Sequence, residues 1–138
     1  MDGYRRPEKV KSFLDLEVYQ VSYQASLDVI RQIIPHIPRV ENDDLQDQLR
    51  RSCKAVPRLI SEGFSKKHQK RGFQKYLDDA LAESNETIVS LSHARDLYLA
   101  GDAQELSDQL VRTYTSVSKM TYCLRKAWDQ FGGPPEDL

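Results

Sequence analysis

Four long stretches of this chain place apolar residues every three or four positions, with proline, glycine or short polar runs between them. That period marks helices with one buried face. Ser12, with Asp15 three residues on, opens a first predicted helix at 13 to 34, and Pro35 and Pro38 end it because they lack backbone donors and restrict the residues before them. Asp43 and Gln46 have the spacing of a capping box for a second helix at 44 to 64, which fades at Gly63 and the run Ser65-Lys66-Lys67-His68. A third spans 72 to 99. Ala100-Gly101-Asp102 stops it, with Gly101 as a left-handed cap and Asp102 with Glu105 opening a fourth helix at 103 to 131. Residues 1 to 12 and 132 to 138 are expected to be flexible tails.

The third helix keeps a 4-3 alternation throughout: Phe73, Leu77, Ala80, Ser84, Thr87, Leu91, Ala94, Tyr98. This is a bundle seam, and its small members allow a neighbouring helix to come close. Leu106, Leu110, Tyr114, Val117, Leu124, Trp128 and Phe131 do the same in the fourth helix, as do Leu45, Leu49, Ser52, Val56 and Leu59 in the second. Short connections favour antiparallel neighbours, so the expected fold is all-α, an antiparallel up-down-up-down four-helix bundle. The first helix has two stripes. Leu16, Tyr19, Tyr23, Leu27, Ile30 and Ile34 share one face, and Leu14, Val18, Val21, Ala25 and Val29 the opposite one. One bundle core needs a single stripe, so the second is assigned to an interface with another subunit, with a packed tail as the alternative, and the chain to a homo-oligomer.

Charge changes the picture more than size does. The 138 residues suit one domain, and the whole chain sums to −1. Yet Arg50, Arg51, Lys54, Arg58, Lys66, Lys67, Lys70, Arg71 and Lys75 stand against one acid, Glu62, within 26 residues, leaving 11 bases against 20 acids elsewhere. A polyanion can read that asymmetry, so these nine form the candidate nucleic-acid-binding set, for RNA or DNA. Arg50, Lys54 and Arg58 recur every four residues on one strip, and Phe73 and Tyr76 follow the basic loop. No base-readout motif is present, so backbone and shape would carry binding. Pro57 lies inside the second helix, where a kink is expected, and Glu62 is placed as the counter-ion of Arg58.

Phe13-Leu14-Asp15-Leu16-Glu17-Val18-Tyr19-Gln20, Gln48-Leu49-Arg50-Arg51-Ser52, Val56-Pro57 with Ile60-Ser61-Glu62-Gly63-Phe64, and Phe73-Gln74-Lys75-Tyr76-Leu77 with Ala80 together resemble one family over roughly 13 to 125. It is the four-helix-bundle family encoded in bacterial large-subunit rRNA intervening sequences. The resemblance implies an all-helical bundle, commonly a homopentameric ring, without established catalysis. The accessory protein of diversity-generating retroelements, which binds a reverse transcriptase and nucleic acid, is a distant relative of the same architecture. Leu59 and Glu83 stand where the family usually has Asn and Ser, and Glu86 is retained.

Other chemistry finds little support. Asp79, Glu83, Glu86 and His93 share one side of the third helix, but a di-metal bundle site needs Glu-x-x-His pairs on two helices and the chain has none. Cys53 and Cys123 lack CxxC partners, and His36, His68 and His93 accompany no nucleophile motif. Arg31 and His36 match a spacing found in some helical RNases, but the prolines beside His36 argue for coincidence. No catalytic residue, metal or cofactor is assigned, and no stretch is apolar enough for a membrane span. The expectation is a cytoplasmic, non-enzymatic scaffold that binds RNA, DNA or a nucleoprotein. The alternative is a structural or protein-interaction module whose basic region pairs with neighbours' acids, among them Glu41, Asp43, Asp44, Asp47, Asp78, Asp79 and Asp108. Size-exclusion chromatography with light scattering should show more than one subunit per particle at micromolar concentration; a monomer would refute the assembly.

Overall fold

The computed structural model describes residues 10–130, which form four long helices and, among the described residues, no strand. They are α1 (Glu17–Asp28), α2 (Leu45–Ser65), α3 (Gly72–Leu97) and α4 (Gly101–Gln130). Contacts join α1 to α2 and α4, α2 to α3, and α3 to α4, around one apolar core. Residues 1–9 and 132–138 of the expected tails, and Phe131, lie outside the described residues. Val10, from the expected N-terminal tail, is buried in the core, and the amides of Lys11 and Ser12 both donate to the Asp15 carboxylate.

Ser12 and Asp15 do form a capping box, but on a separate 3-10 turn, Phe13–Asp15. Leu16 then adopts extended backbone with its side chain in the core, and α1 starts one residue later. Near the other end of the first segment the hydrogen-bond ladder widens into a π-turn, Val29–Ile33, with the Ile34 amide donating to the Val29 carbonyl. A 3-10 turn, Ile34–His36, follows. Pro35 offers no amide, so the helix has no regular donor with which to continue.

The two stripes of α1 exchange roles. Val18, Ala25 and Val29, expected at a subunit interface, are buried in the chain's own core, along with Ser22 and Ser26. Only Leu14 and Val21 of that set retain exposure. The opposite stripe keeps Leu16 and Ile34 inside but leaves Tyr19, Leu27 and Ile30 half-buried and Tyr23 exposed. The serines explain the exchange. Their hydroxyls donate to carbonyls of their own helix, Ser22 to Tyr19 and Ser26 to Tyr23, so they can be buried without an outside partner and let α1 approach closely. Tyrosine phenols favour a position with one end in water.

The expected box at the start of α2 does not form. Asp44 is the N-cap residue and makes no side-chain cap, while the Gln46 amide is buried and donates to the carbonyls of Ile37 and Pro38. α2 continues through Pro57, which is buried within it. In α3 the expected seam is inside: Phe73, Leu77, Ala80, Ser84, Thr87, Leu91 and Ala94 are all buried. Gly101 has the expected positive φ, 59°, but it opens α4, and the C-cap of α3 is Tyr98.

Small hydroxyls join the buried faces. Thr87 Oγ1 donates to Ser52 Oγ at 2.8 Å, and Ser84 and Ser107 donate to the carbonyls of Tyr114 and Leu91. Cys53 is fully buried, and its thiol is pushed up to about 12 by loss of water, whereas Cys123 is exposed. The tightest approach is at Gly63: a Cβ there would stand 2.5 Å from the Cβ of Tyr76 and 3.1 Å from the Phe73 ring. Alanine gains about 1 kcal/mol of intrinsic helix preference over glycine. Here it must push α2 from α3, and overpacking costs about 1–3 kcal/mol. Gly63→Ala should therefore lower the midpoint of thermal unfolding, measured by circular dichroism, despite its better helix propensity; an unchanged or raised midpoint would contradict the close contact.

Candidate nucleic-acid interface

The basic segment divides among three environments instead of forming one strip. The turn between α2 and α3 holds the first group. Phe64 packs edge-on against Phe73 with ring centroids 5.7 Å apart, and Phe73 against Trp128 at 4.8 Å, anchoring both ends of this turn in the core. Between these anchors, Gln69 donates its amide to the Lys66 carbonyl and Gly72 to that of Gln69. A Cβ on Gly72 would collide with the Lys66 carbonyl oxygen. Arg71, just before it, has φ 57° and ψ 17°, a left-handed conformation that costs an ordinary residue of order 1 kcal/mol.

That turn borders an open cavity of about 540 Å³ lined by Lys66, Lys70, Arg71 and Lys75, with Gln74, Asp78 and Arg125 at its wall. Among the described residues, no acid lies within ion-pairing distance of those four lysine and arginine residues. Arg125 is different: it contacts Asp78 at 2.6 Å and Asp129 at 2.9 Å, and hydrogen bonding to Asp78 foremost raises its pKa. Lys67 turns away, with its ammonium 4.6 Å from the Phe64 ring centre and 3.3 Å from His68 Nε2. Gln74 is buried and donates to Asp129, and its Oε1 has no partner among the described residues.

The α2 cations sit among other groups. Arg50 donates to the Asn42 carbonyl at 3.2 Å. Arg51 pairs with Asp47 and Arg58 with Glu62, each at 3.6 Å, so the expected Glu62 counter-ion is present. Arg51 and Arg58 also border a groove facing Glu83 and Glu86 of α3. Lys54 has no acidic partner among the described residues and lies toward α1. Sequence reasoning missed Gln74, Asp78 and Arg125 as neighbours of the basic loop. The i, i+4 spacing of Arg125 and Asp129 signals an ion pair, but their place beside α3 depends on the fold. Among the described residues, no three His, Cys, Asp or Glu side chains converge as metal ligands would, and no helix is long and apolar enough to cross a membrane.

Glu83 reports on the mixed-charge groove. Burial raises its pKa first, then repulsion from Glu86 and from Asp79, against the pull of Arg58 and Arg51. The native state therefore binds this proton more readily than the unfolded chain, so the carboxylate's contribution to stability falls as pH rises from the ordinary value of 4.5 through the raised one. Glu83→Gln should make the protein slightly more stable at neutral pH, by less than about 1 kcal/mol for so solvent-screened a group, with the gain vanishing in acid. Denaturant unfolding at several pH values measures this, and a loss at neutral pH would show that the arginine attractions dominate.

The geometry accounts for the most distinctive sequence block: Val56, Ile60 and Phe64 are core residues, Pro57 is buried, and Gly63 is the α2–α3 contact. No curated protein and no solved structure matches the chain. A family model described as 23S rRNA-intervening sequence protein matches residues 14–123, from the first 3-10 turn to the last third of α4, and the chain belongs to that family.

Proposed function

We propose that this protein is a non-enzymatic, cytoplasmic four-helix bundle that assembles as a symmetric homo-oligomeric ring and binds RNA or DNA through the loop between α2 and α3. The up-down-up-down antiparallel topology is supported by the order of contacts between α3 and α4: Asp78 meets Arg125, Ser84 meets Ser118, and the Leu91 carbonyl meets Ser107. Exposed Leu14, together with Val21, supplies what remains of the predicted interface stripe.

One observation carries the binding reading: Lys66, Lys70, Arg71 and Lys75 line one cavity and have no ion-pair partners among the described residues. Uncompensated cations around a concavity attract phosphates and release condensed counter-ions on binding. A strained backbone at Arg71 is the kind of feature that persists where the surroundings, or a task, hold it in place. Arg51 and Arg58, by contrast, already face carboxylates of their own chain, which leaves that part of the segment less available to a phosphate or to a neighbour's acids.

Titration of labelled RNA over a series of salt concentrations tests the two parts separately. Changing Lys66, Lys70, Arg71 and Lys75 together to glutamine should abolish most binding and reduce the steepness of log affinity against log salt by about 3, near 0.7 per lost phosphate contact on a single strand. Changing Arg51 and Arg58 should have a smaller effect. No binding by the wild type at low salt, with a broken oligomer in the four-residue variant, would leave the charge-pairing role in its place.

A further inference from the structure

The start of the bundle places an aromatic ladder beside Lys54, one of the cations of the basic segment with no acidic partner among the described residues. Tyr19 and Tyr23 stack with ring centroids 5.9 Å apart and planes at 25°, and Phe13 meets Tyr19 edge-on at 4.8 Å. Tyr23, at the end of the ladder, is 48% exposed, and neither phenol has a hydrogen bond within the described residues. A single exposed tyrosine is ordinary. This one is held in orientation by the ring below it, and buried Ser26 bonds to its carbonyl at 2.6 Å.

The two rings form one wall of an open groove of about 340 Å³; Lys54, Pro57 and Arg58 of α2 form the other. Ser26 and Ser61 complete its lining, and Lys54 and Arg58, both exposed, make it cationic. Arg58 shares its charge with Glu62 at 3.6 Å, but Lys54 has no acid beside it among the described residues. An oriented π-face next to an uncompensated ammonium matches the two halves of a nucleotide in an unpaired strand, a flat base and the phosphate beside it. A duplex hides its base faces and offers only the phosphate.

We propose that this groove is a stacking site for an unpaired base of single-stranded nucleic acid, with Tyr23 as the platform and Lys54 at the adjoining phosphate. The proposal rests on the nucleic-acid reading of the loop and deepens it, since it makes single strands the preferred class. Base–aromatic stacking tolerates any sequence, in keeping with a chain that has no base-readout motif. Stacking requires the ring and not the hydroxyl, so phenylalanine should replace Tyr23 and alanine should not.

Fluorescence anisotropy with labelled oligoadenylate RNA, and with its duplex with oligouridylate at equal ionic strength, provides the test. The single strand should bind more tightly than the duplex. Tyr23→Ala should weaken single-strand binding by about 5- to 100-fold, with the salt slope and duplex binding nearly unchanged, while Tyr23→Phe binds as the wild type. Lys54→Gln should reduce the single-strand salt slope by about 0.7. Wild-type affinity in Tyr23→Ala, or equal losses in the alanine and phenylalanine variants, overturns the groove; if the loop variant still abolishes binding, the loop reading stands without it. A changed subunit count for Tyr23→Ala in light scattering means that the groove seats a second copy, which also overturns the proposal. Failure of wild-type protein to bind either probe at low salt removes both readings together.

Discussion

The contact between α2 and α3 at Gly63 sets the geometry of everything beyond it. Because that position has no side chain, the helices meet backbone against the Cβ of Tyr76, and the chain has only a short turn in which to reverse. The turn is then pinned from inside by Phe64, Phe73 and Trp128, so its lysines and arginines are displayed from a frame with little freedom. Like charges held together repel. The left-handed backbone of Arg71 and the forced glycine at 72 are local expressions of the same tight closure. Apolar packing here holds a charge density that the loop would not keep on its own.

Small hydroxyl residues do comparable work in the core. Ser22 and Ser26 satisfy themselves on α1, whereas Ser84, Thr87 and Ser107 reach across to another helix. An apolar seam tolerates sliding, but a buried hydroxyl loses its partner if one helix shifts along another, so these bonds fix register. The core has exceptions too. Tyr114 Oη and Trp128 Nε1 are buried with no hydrogen-bond partner among the described residues, and burial raises the Tyr114 pKa.

Much of this was legible in the chain. The apolar period located all four helices, and seven of the eight seam positions expected in α3 are buried because they follow one unbroken repeat, while Tyr98, the eighth, lies past the end of the helix and is half-buried. α1 misled because its inner face contains Ser22 and Ser26 and its outer face Tyr19 and Tyr23, so hydropathy pointed the wrong way until hydrogen bonding was taken into account. The Asp43–Gln46 spacing misled for a related reason: Gln46 found buried carbonyls at Ile37 and Pro38. Local charge spacing likewise located the basic segment but not its division, because the neighbours that neutralise Arg51 and Arg58 include acids of α3, and those that border the loop include Arg125 of α4.

The two cysteines differ in a way that gives the protein an internal gauge of its own opening. Cys53 sits at the centre of the core with its thiol held protonated, while Cys123 lies on the outer surface of α4. A thiol-modifying reagent meets one sulfur on the intact molecule and the second only when α1 and α2 part. The rate at which that second sulfur is taken up is thus a clock for the rarest excursions of the folded state, built in without any added label.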